Sequence, residues 1–319
     1  MKAIIPAAGF GTRFLPVTKA QPKEMLPVLD RPIAQYVVEE AVAAGVEEVL
    51  LITGRGKRAI EDHFDRSREL EVTLENAGNT VPLRTLRQIS NLAEIFYVRQ
   101  KNPAGLGHAV RCGAPFIGDE PFYVMLGDVI VPEKNILEQL EAVHRITGGS
   151  VIAVEEVPLE KVSRYGVIDG EKTVGISFGE EVTGEVWDVD SLVEKPAVNE
   201  APSNLAIFGR YLLTPRVMEI LKHTAPGRGG EIQLTDALVE LAKVEPMHAV
   251  VINRGAGFDT GNVLSWLEAN VSLGLRDKRF SSDVHKMIKQ LDAEYEERMN
   301  AEASERAAQE AAEALEDEE

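Results

Sequence analysis

Short β-branched runs alternate with helix-like stretches through the first half of the chain: KAIIPA, IAQYVVEEAVAAG, EVLLIT, IFYVRQ, GLGHAVRCGA and FYVML. This alternation constrains the fold more than any other feature. Strands that are apolar on both faces need cover on both sides, and crossover helices supply it. The pattern predicts an α/β fold with a doubly wound, mostly parallel, Rossmann-like sheet. From about residue 150 the pattern changes to strands and turns: SVIAVEEV, YGVIDG, TVGISF, SLVEKP and NLAIFGRYLL. One domain over 1–280 is expected, with a first part over about 1–149 and a smaller sheet region over about 150–212. A tail over 281–319 follows, rich in Ala and Glu, and helical or disordered.

Charge and cysteine content narrow the function. The chain of 319 residues carries a net charge of −18 and one cysteine, Cys112. A single cysteine excludes an intramolecular disulfide and suits a reducing, cytoplasmic setting. Half of the excess charge lies in the tail, where residues 281–319 hold 13 acids and 4 bases. Residues 1–280 then carry 39 acids and 30 bases, with no basic face for nucleic acid. No apolar run reaches the ~20 residues needed to span a bilayer. Any nucleotide bound here is therefore expected to be a small molecule. The tail reads either as a solvated, fraying helix or as a dimer-contact helix in its first half.

The first strand runs into AAGFGTRF. A dinucleotide fingerprint needs a third glycine where Phe14 stands, and a Walker loop is absent. Gly9 and Gly11 nevertheless let backbone N–H groups approach an anion, and Arg13 and Lys23 add two fixed cations nearby. Such a loop suits a triphosphate.

Two distant aspartates complete the pattern. Asp128 follows the strand FYVML, and Asp259 stands in GAGFDTG beyond another strand. Ligands of open α/β sheets gather at carboxyl ends of strands, where two carboxylates can share a hard cation such as Mg²⁺. Each aspartate alone also reads as a cap or turn residue. Glu194 and Lys195 in SLVEKP read as a surface ion pair, or as a pair twisted into a common cleft by Pro196. The six histidines lack metal-ligand spacing and no protein nucleophile is evident, which fits phosphoryl chemistry by a substrate oxygen.

The stretch PAAGFGTRFLPVTKAQPKEMLPVLDRPIAQYVVEEAVAAGVEEVLLIT resembles the start of bacterial-type UTP–glucose-1-phosphate uridylyltransferases, within the sugar nucleotidyltransferases. The likeness continues through VRQKNPAGLGHAV, FYVMLGDVI, SLVEKP, FGRYLLTP and GEIQLTDAL to GFDTGN, over about residues 2–278. The resemblance implies UTP and glucose 1-phosphate as substrates, Mg²⁺ as cofactor and a homo-oligomer. Ala7, Ala8, Gly9 and Gly11 would lie against the nucleotide, with Arg13 on its triphosphate and Lys23 where the phosphates react. Gln100 and Gly105 would read the uracil edge, and Asp128 and Asp259 would hold the metal. Tyr165, Gly166 and Glu194 would meet the sugar, within the 150–212 region, and Lys195 its phosphate.

Two departures stand out. LGDVI replaces the LPDV common in the family, so Gly127 is expected to loosen that turn, and the acidic tail lies outside the family pattern. Rival readings are a dTTP-using or other sugar-phosphate enzyme, a silent subunit that keeps the fold, and an NAD-dependent oxidoreductase. AAG in place of the AGGSGTRL typical of thymidylyl enzymes favours uridylyl transfer. The retained Arg13, Lys23, Asp128 and Asp259 argue against a silent subunit.

Overall fold

The computed structural model describes residues 1–132, 136–253 and 255–316. The last three residues of the acidic tail, 317–319, lie outside the described residues. Two compact units divide the chain at residue 266, Met1–Trp266 and Leu267–Glu319.

The first unit is built on one nine-stranded sheet. Its strands are β1 (Lys2–Ala7), β2 (Glu48–Thr53), β3 (Glu94–Arg99), β4 (Phe122–Met125), β5 (Ser150–Glu156), β6 (Gly166–Lys172), β7 (Val186–Glu194), β8 (Leu205–Leu213) and β9 (Met247–Val251). Their spatial order is β3-β2-β1-β4-β8-β5-β9-β7-β6. The four strands β3, β2, β1 and β4 run parallel, as the βαβ pattern predicts. Beyond them, β8 is antiparallel to both β4 and β5, β9 is parallel to β5, and β7 is antiparallel to β9 and β6. The sheet is therefore mixed rather than mostly parallel. The strands after residue 150 extend this same sheet. An antiparallel strand needs no crossover helix, so the hairpin-like stretch from β5 to β8 joins without one.

Alternate residues of each central strand enter different cores. Ile5 and Leu51 pack with Val37, Val38 and Ala41 of the helix Ile33–Ala43, and with Leu137 and Leu140 of the helix Ile136–Thr147. Ile4 and Leu50 pack on the other face with Val110, Val217, Leu221 and Leu238. Gly113 permits close approach there, since a Cβ would collide with Ile4 Cδ1. Pro6 stands within β1, in register with Ile52 of β2 and beyond the end of the β1–β4 ladder at Ile4↔Val124.

The segment Ser281–Glu316 forms one helix of 36 residues. Met287, Leu291, Tyr295 and Met299 are exposed on it. No helix among the described residues is long and apolar enough to cross a membrane.

Because Ile4 is fully buried on the central strand, Ile4→Ala should lower the unfolding free energy by ~2–5 kcal/mol through lost burial and a residual cavity. Chemical denaturation checks this. A loss below about 1 kcal/mol would mean that the core around Ile4 collapses freely.

Candidate active site

The winding direction reverses between β1 and β4. The chain passes from β1 outward to β2 and β3, then returns to the other side of β1 as β4. Loops leaving the carboxyl ends of β1 and β4 are thereby held apart, and a crevice opens between them. This crevice, of about 360 Å³, brings together Ala8, Gly9, Lys23, Gln100, Gly105 and Asp128.

The glycine loop curls because Gly11 adopts φ +66°, a left-handed conformation open to glycine. A Cβ there would approach Thr18 Cγ2 at 3.1 Å and Lys23 Cβ at 3.2 Å. The Thr18 hydroxyl donates to the Gly11 carbonyl at 2.7 Å, which fastens the curl. Ala7 ends β1 in register with Thr53, just ahead of this loop.

Gln100 follows β3 and is buried. Its Nε2 donates to the Gly105 carbonyl at 3.1 Å and lies 2.9 Å from His108 Nδ1. Burial, then the charge of Arg111, lower the His108 pKa, which favours the neutral ring, whose Nδ1 accepts in the tautomer protonated at Nε2. With its N–H groups engaged this way, the Gln100 amide presents its oxygen as an acceptor. Gly105 has φ +101°, and a Cβ would meet the Ile232 carbonyl at 2.6 Å. The segment 231–232 is laid directly on this loop, with Ile232 N–H donating to Ala104 O and Gly107 N–H to Ile232 O, each at 2.8 Å.

Charge concentrates at the other end. Lys23 Nζ donates to Asp128 Oδ2 at 2.5 Å. Burial, the largest single influence, works against both ions, but Asp128 and Glu24 beside Lys23, and Lys23 and Arg13 beside Asp128, together outweigh it. Lys23 is held above the ordinary lysine range, and Asp128 below the ordinary carboxylate range. Asp259 pairs across a two-residue antiparallel ladder with Val129, and Thr260 donates through both its N–H and its hydroxyl to Asp128 O. The convergence is tight around Gly261. A Cβ built there would lie 2.8 Å from Asp259 Oδ1, 3.4 Å from Arg13 Nη1 and 3.5 Å from Asp128 Oδ2. Burial and then the like charge of Asp128 push the Asp259 carboxyl up, and the Gly261 N–H, Lys23 and Arg13 offset only part of this.

Tyr165, Gly166, Glu194 and Lys195 form a second group. Gly166 opposes Glu194 across the β6–β7 ladder, and a Cβ on it would press on Ile207 and the Glu194 carboxylate. Lys195 adopts φ +49°, which breaks the strand and returns its ammonium to Glu194 Oε1 at 2.7 Å. In an extended strand the two side chains would point to opposite faces. Tyr165 O accepts from Lys195 N–H at 2.9 Å. Burial and then the charge of Asp259 raise the Tyr165 phenol, so the two groups lie within electrostatic reach.

Three participants carry no local signal. Thr235 donates from Oγ1 to Glu194 Oε2 at 2.6 Å. Glu24 lines the crevice, 1% exposed, taking Lys57 on Oε2 at 2.6 Å while its Oε1 has no hydrogen-bond partner. Arg210, fully buried, binds Leu126 O and Val129 O on either side of Gly127–Asp128. The turn that Gly127 was expected to loosen is tied at both ends by this guanidinium.

Gly105→Ala should destabilise the protein by ~1–3 kcal/mol from its backbone conformation alone, since φ 101° with ψ 175° is open essentially to glycine, with a further loss from displacing Ile232. Denaturant melts of the variant measure it. An unchanged midpoint would mean that the 231–232 segment yields without cost.

The nucleotidyl transferase family model matches residues 2–274. The chain is 51% identical over 275 residues to UTP–glucose-1-phosphate uridylyltransferase YngB of Bacillus subtilis, covering 86% of this chain and 89% of that protein. A putative enzyme of the same name from Methanocaldococcus jannaschii is 50% identical over 291 residues, covering 91% and 99%. Among solved structures, UDP-glucose pyrophosphorylase complexed with UDP-glucose matches with a TM-score of 0.75 at 43% identity, covering 86% of this chain and 99% of that one. UTP-bound UGPase from Acinetobacter baumannii matches with a TM-score of 0.79 at 38% identity, covering 91% and 99%. A match over the first unit, on a sheet whose switch-point crevice holds a glycine loop, Lys23 and Asp128, with Arg13 and Asp259 meeting Asp128 around Gly261, makes this chain a member of the nucleotidyl transferase family.

Proposed function

We propose that the protein is a UTP–glucose-1-phosphate uridylyltransferase, forming UDP-glucose and pyrophosphate. The observation that carries this reading is the convergence of Arg13, Asp128 and Asp259 around Gly261, beside a crevice of about 360 Å³ lined by Lys23, Gln100 and Gly105.

The Gln100 oxygen accepts from the imide N–H of uracil, a donor that cytosine lacks at that position. Gly105 lets the base lie against the loop. Thymine differs from uracil by one methyl, worth no more than ~1–3 kcal/mol of discrimination. The backbone of Ala7, Ala8, Gly9 and Gly11 borders the nucleotide, and Arg13 and Lys23 face its phosphates. Glu194, oriented by Thr235, accepts from glucose hydroxyls, with Gly166 and Tyr165 beside the ring. Lys195 receives the phosphate of glucose 1-phosphate.

Asp128 and Asp259 fit a divalent cation, which we assign as Mg²⁺. Their like charges are only partly compensated, and no cluster of three or more ligating side chains exists among the described residues. Mg²⁺ binds in this manner, through one or two carboxylates with water and substrate phosphates completing its shell. When bound, the ion supplies positive charge to the phosphate oxygens.

The chain's own residues then align two anions that repel each other. A phosphate oxygen of glucose 1-phosphate attacks the α-phosphorus of UTP in line. The new P–O bond forms as the bond to the β-phosphate bridge breaks, and pyrophosphate departs with the electron pair. Arg13 and Lys23 neutralise the leaving charge. The nucleophile is already anionic, so no general base is required, and alignment and electrostatics supply the catalysis.

Pyrophosphate release from the full chain with Mg²⁺, glucose 1-phosphate and single nucleotides tests the assignment. UTP should support turnover and CTP, ATP and GTP should not; silence with UTP overturns it. Asp128→Asn should cut turnover by about 100-fold or more while circular dichroism stays unchanged. A variant retaining near-normal turnover would remove Asp128 from the mechanism. In the metal-free protein the Asp259 carboxyl should titrate above its ordinary range and move down on adding Mg²⁺, as followed by carboxyl carbon NMR. A titration indifferent to Mg²⁺ would count against this aspartate as a ligand. Truncation after Phe280 should leave turnover per site intact, and a folded but inactive truncant would show that the tail orders the site.

A further inference from the structure

Arg210 and Glu40 form the most completely buried ion pair among the described residues, at 0% and 1% side-chain exposure. Burial strips both ions of hydration, and a pair of apolar side chains of similar volume generally stabilises a core as well. The arrangement of hydrogen bonds points to another purpose. Arg210 stands on β8, next to β4, and Glu40 on the helix Ile33–Ala43. Arg210 Nε and Nη2 grip the Glu40 carboxylate at 2.9 and 2.7 Å in a two-point fork. The same guanidinium donates from Nη2 to Val129 O at 2.7 Å, and from Nη1 to Leu126 O at 3.3 Å and Gly209 O at 3.1 Å.

Leu126 and Val129 bracket a four-residue turn that carries Asp128. Its own closure is a single long bond, Val129 N–H to Leu126 O at 3.3 Å. Val129 also faces Asp259 across their short ladder. A rigid, planar donor set beneath the turn therefore reaches both aspartates through backbone alone. A lysine, with a single point charge, could not hold both carbonyls and Glu40 in one plane.

We propose that Arg210, oriented by Glu40, is a positioning residue for Asp128 and, through the Val129–Asp259 ladder, for Asp259, keeping the two carboxylates in register for a shared cation. The inference rests on the metal reading above. Neither residue touches the crevice, so the effect is on placement and not on substrate contact.

The test uses the full chain with Glu40→Met/Arg210→Met, which leaves no unpaired buried charge, and with Arg210→Lys, which keeps the charge but loses the fork. Amide exchange over 127–129 should quicken in both variants. The half-activating Mg²⁺ concentration should rise by about 10-fold or more, as for other groups that orient metal ligands. Turnover should fall while the KM for UTP stays within about twofold, and Arg210→Lys should lie between the double variant and the parent.

A folded double variant with parental exchange over 127–129 and parental Mg²⁺ dependence overturns the proposal. If the double variant fails to fold, the same comparison on Arg210→Lys decides it. The exchange measurement needs no turnover. A parent chain without uridylyl activity would sink the functional reading, while 127–129 exchange would still decide whether Arg210 holds the turn.

Discussion

The reversal of winding between β1 and β4 is the constraint on which the rest of the site depends. Two parallel neighbours whose following loops travel in opposite directions cannot close over each other, and the gap between them is where a ligand fits. The first group of site residues is arranged around that gap. The glycine loop borders it from β1, the aspartate turn from β4, and Gln100 from β3, two strands away.

Packing two carboxylates beside that gap raises an electrostatic difficulty, which neighbouring elements resolve. Lys23 binds one of them directly, and Arg13 approaches both across Gly261. Asp259 is left with burial and a like charge working against its ionisation, an imbalance that the cation proposed above would relieve. The Glu194–Lys195 corner solves a different problem. Lys195 takes a left-handed backbone conformation, a cost of ~1–2 kcal/mol for a residue with a Cβ, and thereby brings its ammonium back to Glu194. Strain of this kind persists where surrounding contacts over-determine it, here Tyr165 O on its backbone N–H and Thr235 on the adjacent carboxylate.

Much of the frame was legible from local pattern. The four parallel strands and their crossover helices follow from periodicity, because a strand or helix must bury the face that its own sequence makes apolar; the tail, readable as helical or disordered, is a helix over Ser281–Glu316. The glycine loop and the two aspartates stood out because they follow strands directly. What was not legible is non-local. β8 enters the sheet antiparallel between β4 and β5, although nothing within NLAIFGRYLL specifies its neighbours. Arg210 and Glu40 are 170 residues apart, and Glu24 and Lys57 are 33 apart. Each of these charges reads in sequence as a surface residue, since charged side chains are rarely buried without a partner.

The sequence alone thus determined which segments become strands and helices, where the chain must turn sharply, and which residue types can meet phosphate and metal. These are consequences of side-chain periodicity and of backbone freedom at glycine, and both are local. The tertiary structure alone decided that the later strands extend one mixed sheet and that Lys195 folds back on Glu194. It also decided that a buried guanidinium ties the turn carrying Asp128. Such outcomes depend on which distant groups share a desolvated space, and no local pattern of residues encodes that choice.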